Sequence, residues 1–158
     1  MHTPVLLQEV LDGLQLRPND SVMDGTLGGG GHARQMLVRT GPSGIVVGFD
    51  RDLQTLQKTI GDLQEFGDRL IPIHDSYAGV LDHAEEWGRA KPFRAILLDL
   101  GLSSLQIDNP DRGFSFRFES PLDMRFDTTR GETAAEVLNT RSEDELRHER
   151  VLPEGFAG

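Results

Sequence analysis

The chain has 158 residues, no cysteine, 37% hydrophobic and 27% charged residues, and a formal net charge of −10. These figures exclude disulfides, thiolate metal sites and a cysteine nucleophile, and they show no overall basic face for nucleic acid. The first residues carry neither a basic lead nor a long apolar run, and no segment reaches membrane-span length, so a cytoplasmic protein with no membrane contact is expected.

Leu7, Val10, Leu11 and Leu14 share one helical face, and Pro4 sits at the start, where a missing N–H costs nothing. Arg17-Pro18-Asn19-Asp20 reads as a turn, and residues 21–25 as the first strand. Four consecutive glycines, Gly28 to Gly31, then lead into helical spacing from about Gly30 to Arg39, stopped by Gly41-Pro42-Ser43-Gly44. Residues 45–49 are a near-continuous apolar run ending in Asp50, the pattern of a buried parallel strand. Leu53, Leu56, Ile60 and Leu63 predict the next amphipathic helix. Residues 70–73 predict a third strand, placed at an edge because Pro72 cannot donate to the ladder. A helix is expected over 80–89 and a fourth strand over 93–99, ending in Asp99.

This alternation predicts an α/β protein with a parallel sheet, helices on both faces and strand order 3-2-1-4. Asp24, Asp50 and Asp99 would then meet at one crevice beyond the strand ends. Beyond Asp99 the rhythm breaks. Gly101-Leu102-Ser103-Ser104 reads as a tight polar turn, and 108–131 has no helical period. Short helices are expected at about 132–139 and 142–149, and the tail over 151–158 has no usable pattern.

A strand that turns on glycine into a helix brings backbone N–H groups against a nucleotide-like ligand. With Asp50 about 20 positions on, the turn fits a dinucleotide fingerprint, and equally the related turn for S-adenosylmethionine. It also fits a turn that merely packs helix on sheet. The extra carboxylates Asp24 and Asp99 would repel a pyrophosphate and welcome a sulfonium with an ammonium group. Asp99 could instead cap the turn near Ser103, and His32 reads as structural rather than as a general base. Tyr77 could stack on an adenine or serve as a core aromatic. His2, His74, His83 and His148 show no metal-site spacing. Phe114, Phe116 and Phe118, interleaved with Arg112, Arg117, Arg125 and Arg130, match either a single-stranded nucleic-acid platform or a small core.

Several stretches resemble one family. They are His2-Thr3-Pro4-Val5-Leu6-Leu7, Asp24-Gly25-Thr26-Leu27-Gly28 to His32, Asp50-Arg51-Asp52, and Leu98 to Ser104 with Gln106 and Asp108. Arg112-Gly113-Phe114-Ser115-Phe116 and Pro121-Leu122-Asp123-Met124-Arg125 complete the set, which spans residues 2 to about 146. The resemblance is to the bacterial RsmH/MraW family, the small-subunit ribosomal RNA (cytosine-N4)-methyltransferases. It implies a class I methyltransferase, Rossmann-like, with S-adenosylmethionine as cofactor and small-subunit ribosomal RNA as partner. Motif by motif, it implies cofactor contacts at Gly30, Gly31, His32, Asp50, Tyr77, Asp99 and Gln106; no catalytic base is assigned. Leu105 and Phe126 depart from the family's usual proline and methionine, and Tyr77 from its usual phenylalanine.

Family members are considerably longer, so the resemblance implies the N-terminal part of the fold only. Residues 1–110 would be the cofactor-binding half, and 111–158 the start of a substrate-side insertion with an unmatched tail. The fourth strand would be left as an open edge through which two copies could pair. The alternatives from the residues themselves are an NAD-type oxidoreductase and a non-catalytic cofactor-binding remnant.

Overall fold

The computed structural model describes residues 4–90, 92–117 and 119–148. The chain divides into two compact units, Met1–Leu100 and Gly101–Gly158. In the first unit, helix α1 (Leu7–Leu14) precedes strand β1 (Ser21–Asp24), helix α2 (Gly31–Arg39), strand β2 (Val46–Phe49) and helix α3 (Leu53–Asp62). Strands β3 (Leu70–Ile73) and β4 (Phe93–Leu97) complete one parallel sheet in the order β3-β2-β1-β4. This is the order read from the sequence, with Pro72 on an edge strand as expected.

The strands are aligned so that alternate residues form rows across the sheet. Val22 pairs with Val46, and Val46 with Leu70; Met23 pairs with Val47, and Val47 with Ile71. Side chains alternate faces along a strand, so the two rows lie on opposite sides. The first row joins Leu11, Ala33, Met36, Leu37, Leu56 and Leu63 in one core cluster under α1, α2 and α3. The second joins Phe49, Ile73 and Ala90, with Tyr77, Val80, Trp87 and Phe93 packed against it. Asp52 caps α3 by accepting from the N–H groups of Gln54 and Thr55 at 3.1 and 3.2 Å.

Two expectations change here. The helix expected over 80–89 is instead a 3₁₀ segment (Tyr77–His83), a short helix α4 (Ala84–Trp87) and a 3₁₀ turn (Gly88–Ala90). Gly79 and Gly88 lower helical propensity, and the carbonyl of Val80 accepts the Trp87 indole N–H at 2.8 Å. The fourth strand ends at Leu97, two residues before Asp99, where the chain has already left the ladder.

The second unit holds helices α5 (Ser104–Asp108), α6 (Ala134–Thr140) and α7 (Glu143–His148). The sequence pattern shows a turn over 101–104, and helix α5 directly after it is not apparent in that pattern. A capping box between Ser103 and Gln106 starts it, and the same device between Thr133 and Glu136 starts α6. Between these helices, buried Arg112 donates to the carbonyls of Arg125 and Phe126 at 2.8 and 2.9 Å. Phe114 packs on Phe126 and under Arg112, whereas Phe116 is fully exposed. The Phe/Arg strip is therefore partly a small core. Phe118, His2, Thr3, residue 149 and the tail over 151–158 lie outside the described residues.

Candidate functional site

The first unit places Asp24 at the last position of β1, Asp50 just after β2 and Asp99 shortly after β4. The glycine turn is pinned between the first two. Leu27 N–H donates to the Phe49 carbonyl at 2.8 Å, and Gly28 N–H donates to Asp50 Oδ2 at 2.8 Å. From the other side, Thr59 Oγ1 donates to the Gly28 carbonyl at 2.6 Å. The Gly28 peptide is thus held at both ends.

The four consecutive glycines serve different needs. Gly30 caps α2 with a φ of 73°, and a Cβ there would lie 2.6 Å from Thr59 Cγ2. A Cβ at Gly31 would run into the ring of Pro4. At Gly29, by contrast, a Cβ would meet nothing within 4 Å, and at Gly28 only the Thr26 carbonyl at 3.7 Å. Gly30 and Gly31 seat the helix on its neighbours; Gly28 and Gly29 carry the open face of the turn. Which glycine faces which way could not be read from a run of identical residues.

Asp24 is almost wholly buried, with Oδ1 accepting the Thr26 N–H at 3.1 Å. Burial pushes its carboxyl up to about 7; the Thr26 N–H works against this, and the charges of Asp50 and Asp99 add to it. Burial also raises the Asp50 carboxyl, against the N–H groups of Asp52 and Gly28 that it accepts. Thr26 also ties the segments that follow β1 and β4, because its Oγ1 accepts the Asp99 N–H at 2.7 Å. Asp99 is half-exposed, with Oδ2 3.8 Å from His32 Nδ1. His32 is buried at the start of α2 and donates from Nε2 to the Val5 carbonyl at 3.1 Å. That bond fixes the ring as a structural tie.

Tyr77 is half-buried at the head of its 3₁₀ segment and packs close to Gly25, where a Cβ would lie 3.0 Å from Tyr77 Cβ. The first unit therefore brings together Gly30, Gly31, His32, Asp50, Tyr77 and Asp99. Gln106 belongs to the second unit, where it is buried and accepts the Ser103 N–H at 3.1 Å. Asp24, Gly28 and Gly29 join the residue-by-residue set; the sequence pattern already places Asp24 at this crevice as a carboxylate suited to a cationic group. The donor set fits a cationic, nucleoside-containing group. Asp50 keeps acceptor capacity beyond its two N–H partners, Gly28 and Gly29 admit a close approach, and three carboxylates favour positive charge.

This sheet, turn and strand-end chemistry define a Rossmann-like α/β protein. The chain matches the MraW methylase family over residues 1–153 and belongs to it. It is 46% identical over 145 residues to the ribosomal RNA small subunit methyltransferase H of Syntrophotalea carbinolica, covering 92% of this chain and 46% of that protein. The protein of the same name from Cupriavidus metallidurans is 47% identical over 145 residues, covering 92% of this chain and 43% of that one. The chain thus spans about half the length of the curated relatives it matches. A solved candidate rRNA methylase from Clostridium thermocellum superposes with a TM-score of 0.46 at 23% identity, covering 52% of this chain and 47% of that one. That likeness is too distant to add to the assignment. No helix among the described residues is long and apolar enough to cross a membrane.

Proposed function

We propose that this chain is the cofactor-binding part of a cytoplasmic methyltransferase that uses S-adenosylmethionine. Its substrate would be the exocyclic N4 amine of a cytidine in small-subunit ribosomal RNA. The observation that carries this reading is the open face at Gly28–Gly29, set between the buried carboxylate Asp24 and the turn-bound carboxylate Asp50. Family membership and the names of the curated relatives support the methyl transfer and the ribosomal RNA. The cytidine N4 target rests on the resemblance of the sequence motifs.

When bound, the cofactor supplies an electrophilic methyl group. Asp50 would accept its ribose hydroxyls, and Asp24 and Asp99 would place negative charge beside its ammonium and sulfonium. Tyr77 would cover the adenine. The accepting amine is a weak nucleophile because its lone pair is delocalised into the ring. Orientation at near-attack distance, rather than proton abstraction, would then be the main demand on the protein. Within the family resemblance, the stretch Asp99 to Ser104 is the acceptor-side turn.

Three carboxylates around the turn count against a dinucleotide, whose pyrophosphate they would repel. Calorimetric titration with S-adenosylhomocysteine tests the reading, with NADH as competitor. Binding that NADH does not displace is expected, and Asp50→Ala should weaken it by about 1.5–3 kcal/mol through lost charged hydrogen bonds. No heat with S-adenosylhomocysteine on folded protein would remove the proposal.

A further inference from the structure

One polar cluster lies just outside the carboxylates described above and plays no part in their chemistry. His83 closes the 3₁₀ segment that Tyr77 opens. Its Nε2 lies 3.0 Å from Asp75 Oδ2, and its Nδ1 lies 2.7 Å from Glu86 Oε1. A carboxylate is acceptor-only when ionised, so both ring nitrogens donate and the ring is an imidazolium. The ring also meets Phe49 of β2 edge-on, with centroids 6.0 Å apart. Asp75 precedes the segment and His83 ends it, so the Asp75–His83 bond ties its two ends together. Inside that loop, Ser76 Oγ accepts the Ala78 N–H at 3.2 Å, and Trp87 donates to the Val80 carbonyl.

Among the described residues, the charged groups bonded to His83 are Asp75 from the loop after β3 and Glu86 from α4, and Asp82 stands beside it in the chain. All three are acidic. The bonds to Asp75 and then to Glu86 raise the pKa of His83 above its ordinary value. Loss of the proton would turn one ring nitrogen into an acceptor facing a carboxylate.

We propose that His83 is a positioning residue for the adenine side of the crevice: as an imidazolium joining Asp75 to Glu86, it holds the Tyr77 segment against Gly25. The proposal rests on the reading of Tyr77 as the adenine's neighbour. Adenine affinity should then fall at alkaline pH, because the clasp opens when His83 deprotonates.

Tyr77 is the only tyrosine in the chain, so its ring resonances can be followed by NMR without ambiguity. In the full 158-residue chain they are expected to shift with the same pH midpoint as the His83 ring. The ligand probe is 5′-methylthioadenosine, which carries the adenine but no ammonium to titrate. Its affinity is expected to drop about tenfold from a pH below the His83 midpoint to a pH above it, the scale of one charged hydrogen bond. In His83→Gln, binding should be weak at both values and the Tyr77 shift absent. The difference between wild type and variant isolates His83 from Asp24, Asp50 and His74. Tyr77 resonances that stay flat while His83 titrates would overturn the proposal, as would a His83→Gln chain that binds like wild type at both pH values. If circular dichroism shows His83→Gln unfolded, Glu86→Gln decides, since Glu86 is largely exposed. Both midpoints should then move to lower pH, and an unmoved Tyr77 midpoint overturns the clasp. Tyr77 tracking His83 with no methylthioadenosine binding at the lower pH would overturn the adenine reading while supporting the clasp.

Discussion

On the proposed reading, Asp24 would link stability to cofactor binding. Its native carboxyl sits at about 7, against an ordinary 3.8. Between those values the native state holds a proton that the unfolded chain has lost, so stability falls as pH rises from about 4 to about 7 and stays reduced above. Asp24→Asn should therefore stabilise the unliganded chain at pH 8 by on the order of 2–4 kcal/mol, and by little at pH 4. Urea unfolding at the two pH values measures this, and an equal effect at both would reject it. An ammonium-bearing ligand favours the charged form, so S-adenosylhomocysteine should bind more tightly as pH rises through 7 and release a proton on binding. Calorimetry in two buffers of different ionisation enthalpy reads that proton, and Asp24→Asn should abolish it. The sequence placed Asp24 at a strand end. Its burial, and hence its proton, depends on β2 and β4 flanking β1.

At the scale of elements, the glycine turn offers a matched pair of tests. Gly30→Ala puts a methyl against Thr59 at a φ of 73° and should cost about 2–3 kcal/mol of stability. Gly29→Ala meets nothing in the protein and has ordinary backbone, so the melting temperature should hold while S-adenosylhomocysteine affinity falls at least about tenfold. Equal affinity in Gly29→Ala would take the open face out of the site. The neighbouring elements show where local pattern suffices. Strands β1, β2 and β3 were legible from short apolar runs, the first two ended by Asp, and α3 from its apolar stripe. The segment over 77–90 was not, because Val80, Leu81, Ala84 and Trp87 keep helical spacing while two glycines and the Trp87–Val80 bond break the helix. Helix α5 carried a readable signal, the Ser103…Gln106 capping box, which begins within the turn over 101–104 and extends past it.

For the whole molecule, the first unit contains the sheet, both core clusters and the candidate crevice. It also contains Trp87, the only tryptophan in the chain, packed on Phe93 at 5.2 Å between ring centroids. Thermal unfolding followed by tryptophan fluorescence thus reports on the unit that should hold the cofactor. Saturation with S-adenosylhomocysteine at about 100 times its Kd should add about 2.7 kcal/mol and raise that transition. A cooperative transition that does not move would favour the remnant reading. Among the described residues strand β4 is an edge of the sheet, and Ile96 on it is more than half exposed, so pairing of two copies there can be tested by light scattering.

From the sequence alone came the α/β alternation, the strand order, three carboxylates at or just beyond strand ends and the family resemblance. Each is written in local spacing or in a run of residues too long to arise by chance. Tertiary structure alone decided the division of labour among Gly28 to Gly31, the raised carboxyl of Asp24, the tie from His32 to Val5 and the bridge from His83 to Asp75 and Glu86. These depend on which side chains arrive from strands and helices distant in the chain, or on which turn conformation brings neighbours together. Burial, charge proximity and steric room are properties of that arrival, and no spacing along the chain encodes them.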